Sequence, residues 1–251
     1  MPLRPGRNGC RTGCKILILF VYLNVMDIIE FDDKLEIPRE TLITIVAGDL
    51  SFNISCTPQD LEEMVIGFFL SEGLVENYDF NIEIESDTIH VDVPVAPQEL
   101  SLRSSGSPGI YRAGDKLPQV SAKVEFTLEE CRNSLQHLEA EEYKKTRGYH
   151  IAALVDKGGM LVRAYDVGRH NAIDKVIGMG VKKNIEFGKV FLLVSGRISQ
   201  GMVGKCMRIG IPLLVSKAAI LDSAIEKCNE TGLSAVSFAT GIAIRGEALK
   251  V

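Results

Sequence analysis

Two arginines, each preceded by glycine and followed within a few residues by a helical pattern, mark the chemistry this sequence can do. The first lies in Asp166-Val167-Gly168-Arg169-His170-Asn171, the second in Ser195-Gly196-Arg197-Ile198-Ser199. A third glycine-bearing junction, Phe238-Ala239-Thr240-Gly241-Ile242-Ala243, follows the last predicted strand. Glycine lets the backbone approach a ligand closely, a helix start offers N–H groups without intrahelical partners, and arginine adds a forked cation. Together these features favour an anion, and two of them in one crevice favour a phosphate or diphosphate. For one loop alone, solvated arginines and turning glycines are a sufficient account. His150 and His170 fit ordinary hydrogen-bonding histidines. Asp166, His170 and Asp174 are not read as a metal cluster, because Asp174 is better explained at the helix start, so no metal is expected.

The elements that must position these loops alternate in the last hundred residues. Strands are predicted at 151–155 and 160–165 around a Lys157-Gly158-Gly159 turn, then at 190–194, 213–216 and 235–238. Helices are predicted from Ala172, over 200–208 and over 221–230. Asn171 reads as the N-cap of the first, with Asp174 completing a capping-box-like exchange, and Ser199 as the cap of the second. Such alternation implies a largely parallel sheet covered on both faces, with ligands beyond the carboxyl ends of its strands. A further helix is expected over 127–145.

Upstream, 41–55 reads as a hairpin turning at Gly48-Asp49, and Thr57-Pro58 as the N-cap and first position of a helix ending near Gly73. Two short strands are expected within 79–93. Residues 94–122, rich in Pro, Ser and Gly, read as a long loop, and loops of that length are functional or disordered. The organisation is then an extension or misassigned start over 1–25, an α+β part over 26–122, and an α/β/α part over 123–251. The basic residues and the ten-residue apolar run Ile16 to Val25 loosely mimic a signal peptide, but the run falls short of the about 20 residues a membrane span needs.

A net charge of −5 argues against a general nucleic-acid binder, and no membrane association is expected. Six cysteines at 10, 14, 56, 131, 206 and 228 form no dense framework, which fits free thiols in a reducing, cytoplasmic setting. Cys10 and Cys14 lack a second ligand pair at zinc-finger spacing.

The stretch Asp166-Val-Gly-Arg-His-Asn-Ala-Ile-Asp-Lys-Val-Ile-Gly178 resembles the signature of the FdhD-type formate dehydrogenase accessory family. Ser195-Gly-Arg-Ile-Ser199 with Met202, Val203 and Lys205 is similar to the family's next block, and Gly210-Ile-Pro-Leu-Leu-Val-Ser216 to the one after. Thr57-Pro-Gln-Asp-Leu61 and Gly67-Phe-Phe-Leu-Ser-Glu-Gly73 resemble its N-terminal helix. The resemblance implies a three-layer, cytidine-deaminase-like α/β/α domain beside a smaller α+β part. It implies carriage of sulfur from a cysteine desulfurase to molybdopterin guanine dinucleotide, in its molybdenum or tungsten form, before the cofactor enters the formate dehydrogenase apoenzyme. It also implies that Phe238, Ala239, Thr240, Gly241, Ile242 and Ala243 bind that cofactor, with Asp166, Gly168, Arg169, His170, Asn171, Ser195, Gly196, Arg197 and His150 completing the set. Family members can form homodimers.

One departure bears on mechanism. The family's sulfur-carrying loop contains Cys-Gly-x-Cys-Gly, whereas the matching stretch here is Arg103-Ser104-Ser105-Gly106-Ser107-Pro108-Gly109. A hydroxyl cannot form a persulfide, which needs a thiolate sulfur. Whether the chain is an enzyme therefore turns on another cysteine. Cys56, near a helix start, and the Cys10/Cys14 pair are the alternatives, against the simpler account of Cys56 as a buried strand-end residue. If none serves, the expectation is a cofactor-binding chaperone or carrier without persulfide chemistry. Smaller departures are Tyr165 for the usual glutamate and Thr146-Arg147-Gly148-Tyr149-His150 for Thr-Gly-Gly-x-His. A deaminase reading fails for want of His-x-Glu and Pro-Cys-x-x-Cys.

Overall fold

In the N-terminal part, alternating apolar and polar residues build β1 (Thr41–Ala47) and β2 (Leu50–Cys56), a hairpin in register Thr41 opposite Cys56. Its turn places Gly48 at φ +57°, where a side chain would be strained. With β3 (Asn81–Glu85) and β4 (Thr88–Asp92) they form a four-stranded sheet of order β2-β1-β4-β3. Helix α1 (Leu61–Ser71) lies on this sheet, and Phe52, Phe68 and Phe69 meet edge to face in the shared core. The computed structural model describes residues 35–93, 100–102, 108–110, 117–119 and 121–250. The 1–25 extension and most of the Pro/Ser/Gly stretch lie outside them. Within that stretch β5 (Leu100–Leu102) pairs with β6 (Pro108–Ile110), so it is not loop throughout.

The C-terminal part centres on β8 (His150–Asp156), β9 (Gly159–Asp166), β10 (Phe191–Val194), β11 (Leu213–Ser216), β12 (Ser234–Ser237) and β13 (Ile242–Ile244). Their order is β13-β12-β11-β10-β8-β9. Only β10, β11 and β12 run parallel; β8 opposes β10, β9 opposes β8 and β13 opposes β12. The largely parallel sheet expected from alternation is therefore a mixed one. Two of its strands, β8 and β9, are joined directly by the tight turn at Lys157-Gly158-Gly159, and a tight turn can only join antiparallel neighbours.

Three helices, α4 (Arg169–Lys182), α5 (Gln200–Ile209) and α6 (Asp222–Thr231), share one apolar core with one face of this sheet. The opposite face is covered by α2 (Leu128–Ser134), a 3-10 turn over Leu135–Leu138, and the short pair β7 (Phe126–Thr127) with β14 (Leu249–Lys250). The sheet is thus covered on both sides. Thr127 and Glu130 form a reciprocal capping box at the start of α2. The single helix expected over 127–145 is broken at Glu139 and Ala140, and α3 (Glu141–Thr146) starts afresh. Leu138 and Ala140 are both buried; in one continuous helix two residues apart face nearly opposite ways.

Helix α1 crosses α4 at backbone contact. A Cβ at Gly67 would overlap the Asp174 carbonyl, and one at Gly178 the Glu63 carbonyl. The close approach sandwiches α4 between α1 and the sheet, so His170 through Gly178 are all buried. Several of these are polar, and each ionic one finds a partner. Lys175 Nζ pairs with Asp166 at 2.7 Å, and Lys205 Nζ pairs with Asp174 at 2.6 Å and Glu72 at 2.7 Å, all almost wholly buried. Ser71 adds bonds to Asp174 and Lys205. Burial pushes the Asp174 carboxyl up to about 6, against the opposing pull of Lys205. Removing one partner of such a pair leaves a buried charge uncompensated, at a cost of about 3–5 kcal/mol.

Gly178→Ala should force α1 and α4 apart and destabilise the chain by about 1–3 kcal/mol, the range for overpacking a tight core. Chemical denaturation measures this; an unchanged midpoint would contradict the contact.

Candidate functional site

The carboxyl ends of β9, β10, β11 and β12 lie along one edge of the sheet, together with the start of β8. His150 opens β8 opposite Asp166, the last residue of β9. Next along the edge is Ser195, whose Oγ accepts from Ile151 N at 2.8 Å. Gly196 follows; a Cβ there would sit 3.2 Å from Arg169 Cβ and 3.4 Å from His150 Nδ1. Ser216 Oγ donates to Gly196 O, Phe238 N donates to Ser216 O, and Ser237 Oγ donates to Ala218 O. This chain of contacts places residues 166–171, 195–199 and 238–243 on the same edge.

The residues in these loops divide into supports and open groups. Asp166 is fully buried: Oδ1 accepts from Gly168 N at 2.7 Å and Asn171 Nδ2 at 2.9 Å, while Oδ2 accepts from Thr57 N at 2.9 Å and pairs with Lys175. Asn171 Nδ2 also donates to Ser55 O. Asp166 and Asn171 are thus used up in shaping the loop, and His170 is buried. Gly168 is needed here because a Cβ would come within 2.7 Å of Asn171 Nδ2.

Four cap assignments are corrected. Helix α4 begins at Arg169 with Gly168 as N-cap, because Asp166 seizes the Gly168 N–H two residues on; Asn171 and Asp174 lie inside the helix. Thr57 does not cap α1, since its hydroxyl accepts from Val167 N and its carbonyl from Lys175, so the helix starts after Asp60 in the left-handed region at φ 53°. Pro58 accordingly precedes the helix. Ser199 does stand at the N-cap of α5 as expected, though without a side-chain capping bond and with its Oγ buried.

Arg169, Arg197 and His150 remain as the charged and titratable groups of the crevice. Arg169 is half-buried with its Nε buried and unpartnered, and Arg197 is exposed; among the described residues no carboxylate pairs with either. Burial and then the charge of Arg197 press the Arg169 guanidinium below arginine's ordinary range. Burial, then Arg169, and more weakly Arg197 hold His150 below the ordinary imidazole range, against the opposite pull of Asp166. Two like charges and a neutral imidazole gathered at the start of α4 favour an anion. In the third loop, Phe238 packs against the core of the α2 face with the Arg132 guanidinium 4.9 Å from its ring, while Ala239, Thr240, Gly241, Ile242 and Ala243 are exposed. Thr240 Oγ1 donates to Ser237 Oγ.

The cysteines are placed differently. Cys56, Cys131, Cys206 and Cys228 are free and buried. Burial pushes the thiols of Cys56 and Cys131 up to about 12 and Cys228 to about 11, and raises Cys206 further. At Cys56 the nearby Asp166 adds to the rise, so the thiolate expected from a neighbouring helix start is not favoured. Of the serine–glycine stretch, Ser104, Ser105, Gly106 and Ser107 lie outside the described residues, as do Cys10 and Cys14; Pro108 and Gly109 belong to β6. Among the described residues no group of three or more metal-ligating side chains forms, and no helix is long and apolar enough to cross a membrane.

Sequence reasoning missed Thr57, Lys175 and the Ser71–Glu72–Asp174–Lys205 cluster as supports of this edge. Their one signal was polar residues on a helix face that the periodicity assigns to the core.

The site is thus a mixed sheet ending in two Gly-Arg loops, joined through α4 to a smaller α+β sheet. The sequence profile of the FdhD/NarQ family matches residues 38–245, and the chain belongs to that family. It is 32% identical over 223 residues to the sulfur carrier protein FdhD of Halalkalibacterium halodurans, covering 81% of this chain and 83% of that one. The protein of the same name from Methanothermobacter thermautotrophicus is 29% identical over 224 residues, covering 84% and 90%. A crystal structure described as a formate dehydrogenase accessory protein from Desulfotalea psychrophila shares the fold at a TM-score of 0.66 and 24% identity, covering 80% of this chain and 83% of that one.

Native alkylation at mildly alkaline pH should leave Cys56, Cys131, Cys206 and Cys228 unmodified, with all four reacting in denaturant. Peptide mass mapping reads this out; rapid native labelling of Cys56 would return it to candidacy as a nucleophile.

Proposed function

We propose that this chain serves formate dehydrogenase maturation in the cytoplasm, as a sulfur carrier that grips molybdopterin guanine dinucleotide by its diphosphate. The observation that carries the binding half is the Arg169–Arg197 pair beside His150, with the Arg169 Nε buried and unpartnered at the start of α4. A diphosphate supplies what these groups lack: negative charge within reach of two forked donors and of a helix N-terminus. The relatives named as sulfur carriers support the other half of the reading; a cysteine desulfurase as donor and the formate dehydrogenase apoenzyme as recipient are our proposal. We read the C-terminal sheet and its helices as the cytidine-deaminase-like layer arrangement.

In this reading the protein's groups divide the work. Asp166, held by Lys175 and Thr57, sets the loop; Gly168 and Gly196 bring backbone close; Arg169 and Arg197 take the phosphates; and the exposed turn Ala239 to Ala243 flanks the ligand. Bound phosphate beside His150 stabilises the imidazolium and raises its pKa. By linkage, affinity for the anion then rises as pH falls through the imidazole range.

A second reading, a carrier of the cofactor without persulfide chemistry, is favoured by the four buried thiols and by serines where the sulfur-carrying cysteines stand in the family pattern. Incubation with a cysteine desulfurase and cysteine, followed by intact-mass measurement, separates the two. A gain of one sulfur that disappears in a single cysteine variant supports transfer, and Cys10→Ser and Cys14→Ser are the variants to make. No gain, alongside nucleotide binding, supports the carrier.

For the crevice itself, Arg169→Ala and Arg197→Ala should each weaken GDP binding by about 1.5–3 kcal/mol, tenfold or more, in titration calorimetry. Wild-type affinity should climb between neutral and mildly acidic pH, and this climb should vanish in His150→Gln. Equal affinity in both arginine variants would sink the diphosphate crevice.

A further inference from the structure

On the α2 side of the same strand edge lies a cavity of ≈ 290 Å³, walled by Tyr143, Arg147, Tyr149, His150, Ser195 and Lys217, with Leu138 and Gly148 completing it. This is close to the lower end of about 300–1,000 Å³ for small-molecule sites. Its charged lining is of one sign: Arg147 and Lys217 contribute cations and no carboxylate lines it. His150 and Ser195 connect it to the crevice, since they also stand beside Arg169 and Gly196.

Arg147 is held there at a conformational cost. It is the residue after α3 and sits at φ 51°, ψ 12°, the left-handed region that glycine occupies freely and other residues occupy at about 1–2 kcal/mol. Its N–H closes the helix by donating to Tyr143 O at 2.6 Å. Glycine would perform that turn without strain. Strained non-glycine residues cluster where a side chain is needed for function. What this side chain adds is a guanidinium in the wall of the cavity. Lys217 arrives from a different element, one residue beyond β11, with its backbone N–H fixed on Val194 O.

We propose that this cavity is a second anion subsite, in which Arg147 and Lys217 bind a phosphoryl group of the ligand whose other phosphate lies at Arg169 and Arg197. The inference rests on the reading of the crevice as a diphosphate site and extends it. His150 and Ser195 belong to both the cavity and the crevice, and the rings of Tyr143 and Tyr149 line the cavity. A ligand with one phosphate then fills half of the site, and a ligand with two adjacent phosphates bridges it. Arg147 becomes a specificity-determining residue for the diphosphate over the monophosphate.

The test uses the full chain and titration calorimetry with GDP and GMP as probes. Arg147→Gly should lower GDP affinity about tenfold, the loss of one charge-assisted contact, while GMP affinity changes little. Its melting temperature should hold or rise, because glycine relieves the turn. Lys217→Ala should act in the same direction, and Arg147→Lys should restore part of the GDP affinity. If Arg147→Gly and Lys217→Ala bind GDP like wild type while Arg169→Ala weakens it, the second subsite is wrong and the crevice stands. If GDP binding is absent in wild type or indifferent to Arg169 and Arg197, the diphosphate reading itself fails and takes this inference with it.

Discussion

The structure depends on α1 and α4 crossing at backbone contact. Gly67 and Gly178 remove the side chains that would hold the helices apart, and the charged side chains packed around the crossing are almost wholly buried. Charges caught there therefore have to find each other. Lys205 does so with Asp174 and Glu72, and Lys175 with Asp166 and the carbonyls of Thr57 and Tyr165. Buried ion pairs of this kind contribute little net stability against an apolar alternative. Their effect here is on geometry: Lys205 joins Glu72 of the N-terminal part to Asp174 of α4, and Lys175 joins the Thr57 carbonyl to Asp166 at the end of β9.

That geometry reaches the crevice through Asp166. One oxygen of its carboxylate shapes the Gly168-Arg169 loop, and the other meets Thr57 N and Lys175. The loop's arginine then stands beside His150 and Gly196 without a neutralising carboxylate among the described residues. On the proposed reading, an anion meets two cations at a loop whose shape Asp166 has already set. The chain's net charge of −5 is no obstacle, because Arg169 and Arg197 act locally on one another at this strand edge.

Much of this was legible in the residues. The hairpin at Gly48-Asp49, the strands within 79–93, the strand series of the C-terminal part and the helix start at Thr127 follow from period and turn chemistry. The gathering of three loops on one edge followed from the rule for strand ends. Two helix starts, those of α1 and α4, did not. Asn171 and Thr57 each have the side chain a cap needs, yet Asp166 and Lys175, distant partners for Thr57, outbid the local bonds, while Ser199 does stand at the start of α5. The break at Glu139 escaped notice because Leu128, Cys131, Leu135 and Leu138 keep helical spacing up to it, and only the burial of Ala140 demands the change of direction. The mixed sheet escaped because alternation says where strands occur, while strand direction is set by the turn joining β8 and β9. The cavity at Arg147 and Lys217 could not be read at all: its walls come from four separate stretches of chain.

Because a single carboxylate anchors both the arginine loop and the chain entering α1, the two sheets are mechanically one instrument. Without residues 41–93, Asp166 and Lys175 would lose their contacts with Thr57, and Lys205 would lose Glu72. Evolution of a new ligand preference in this scaffold therefore has freer choice at Arg147, Lys217 and the exposed turn after β12 than anywhere on the helix that carries Asp174.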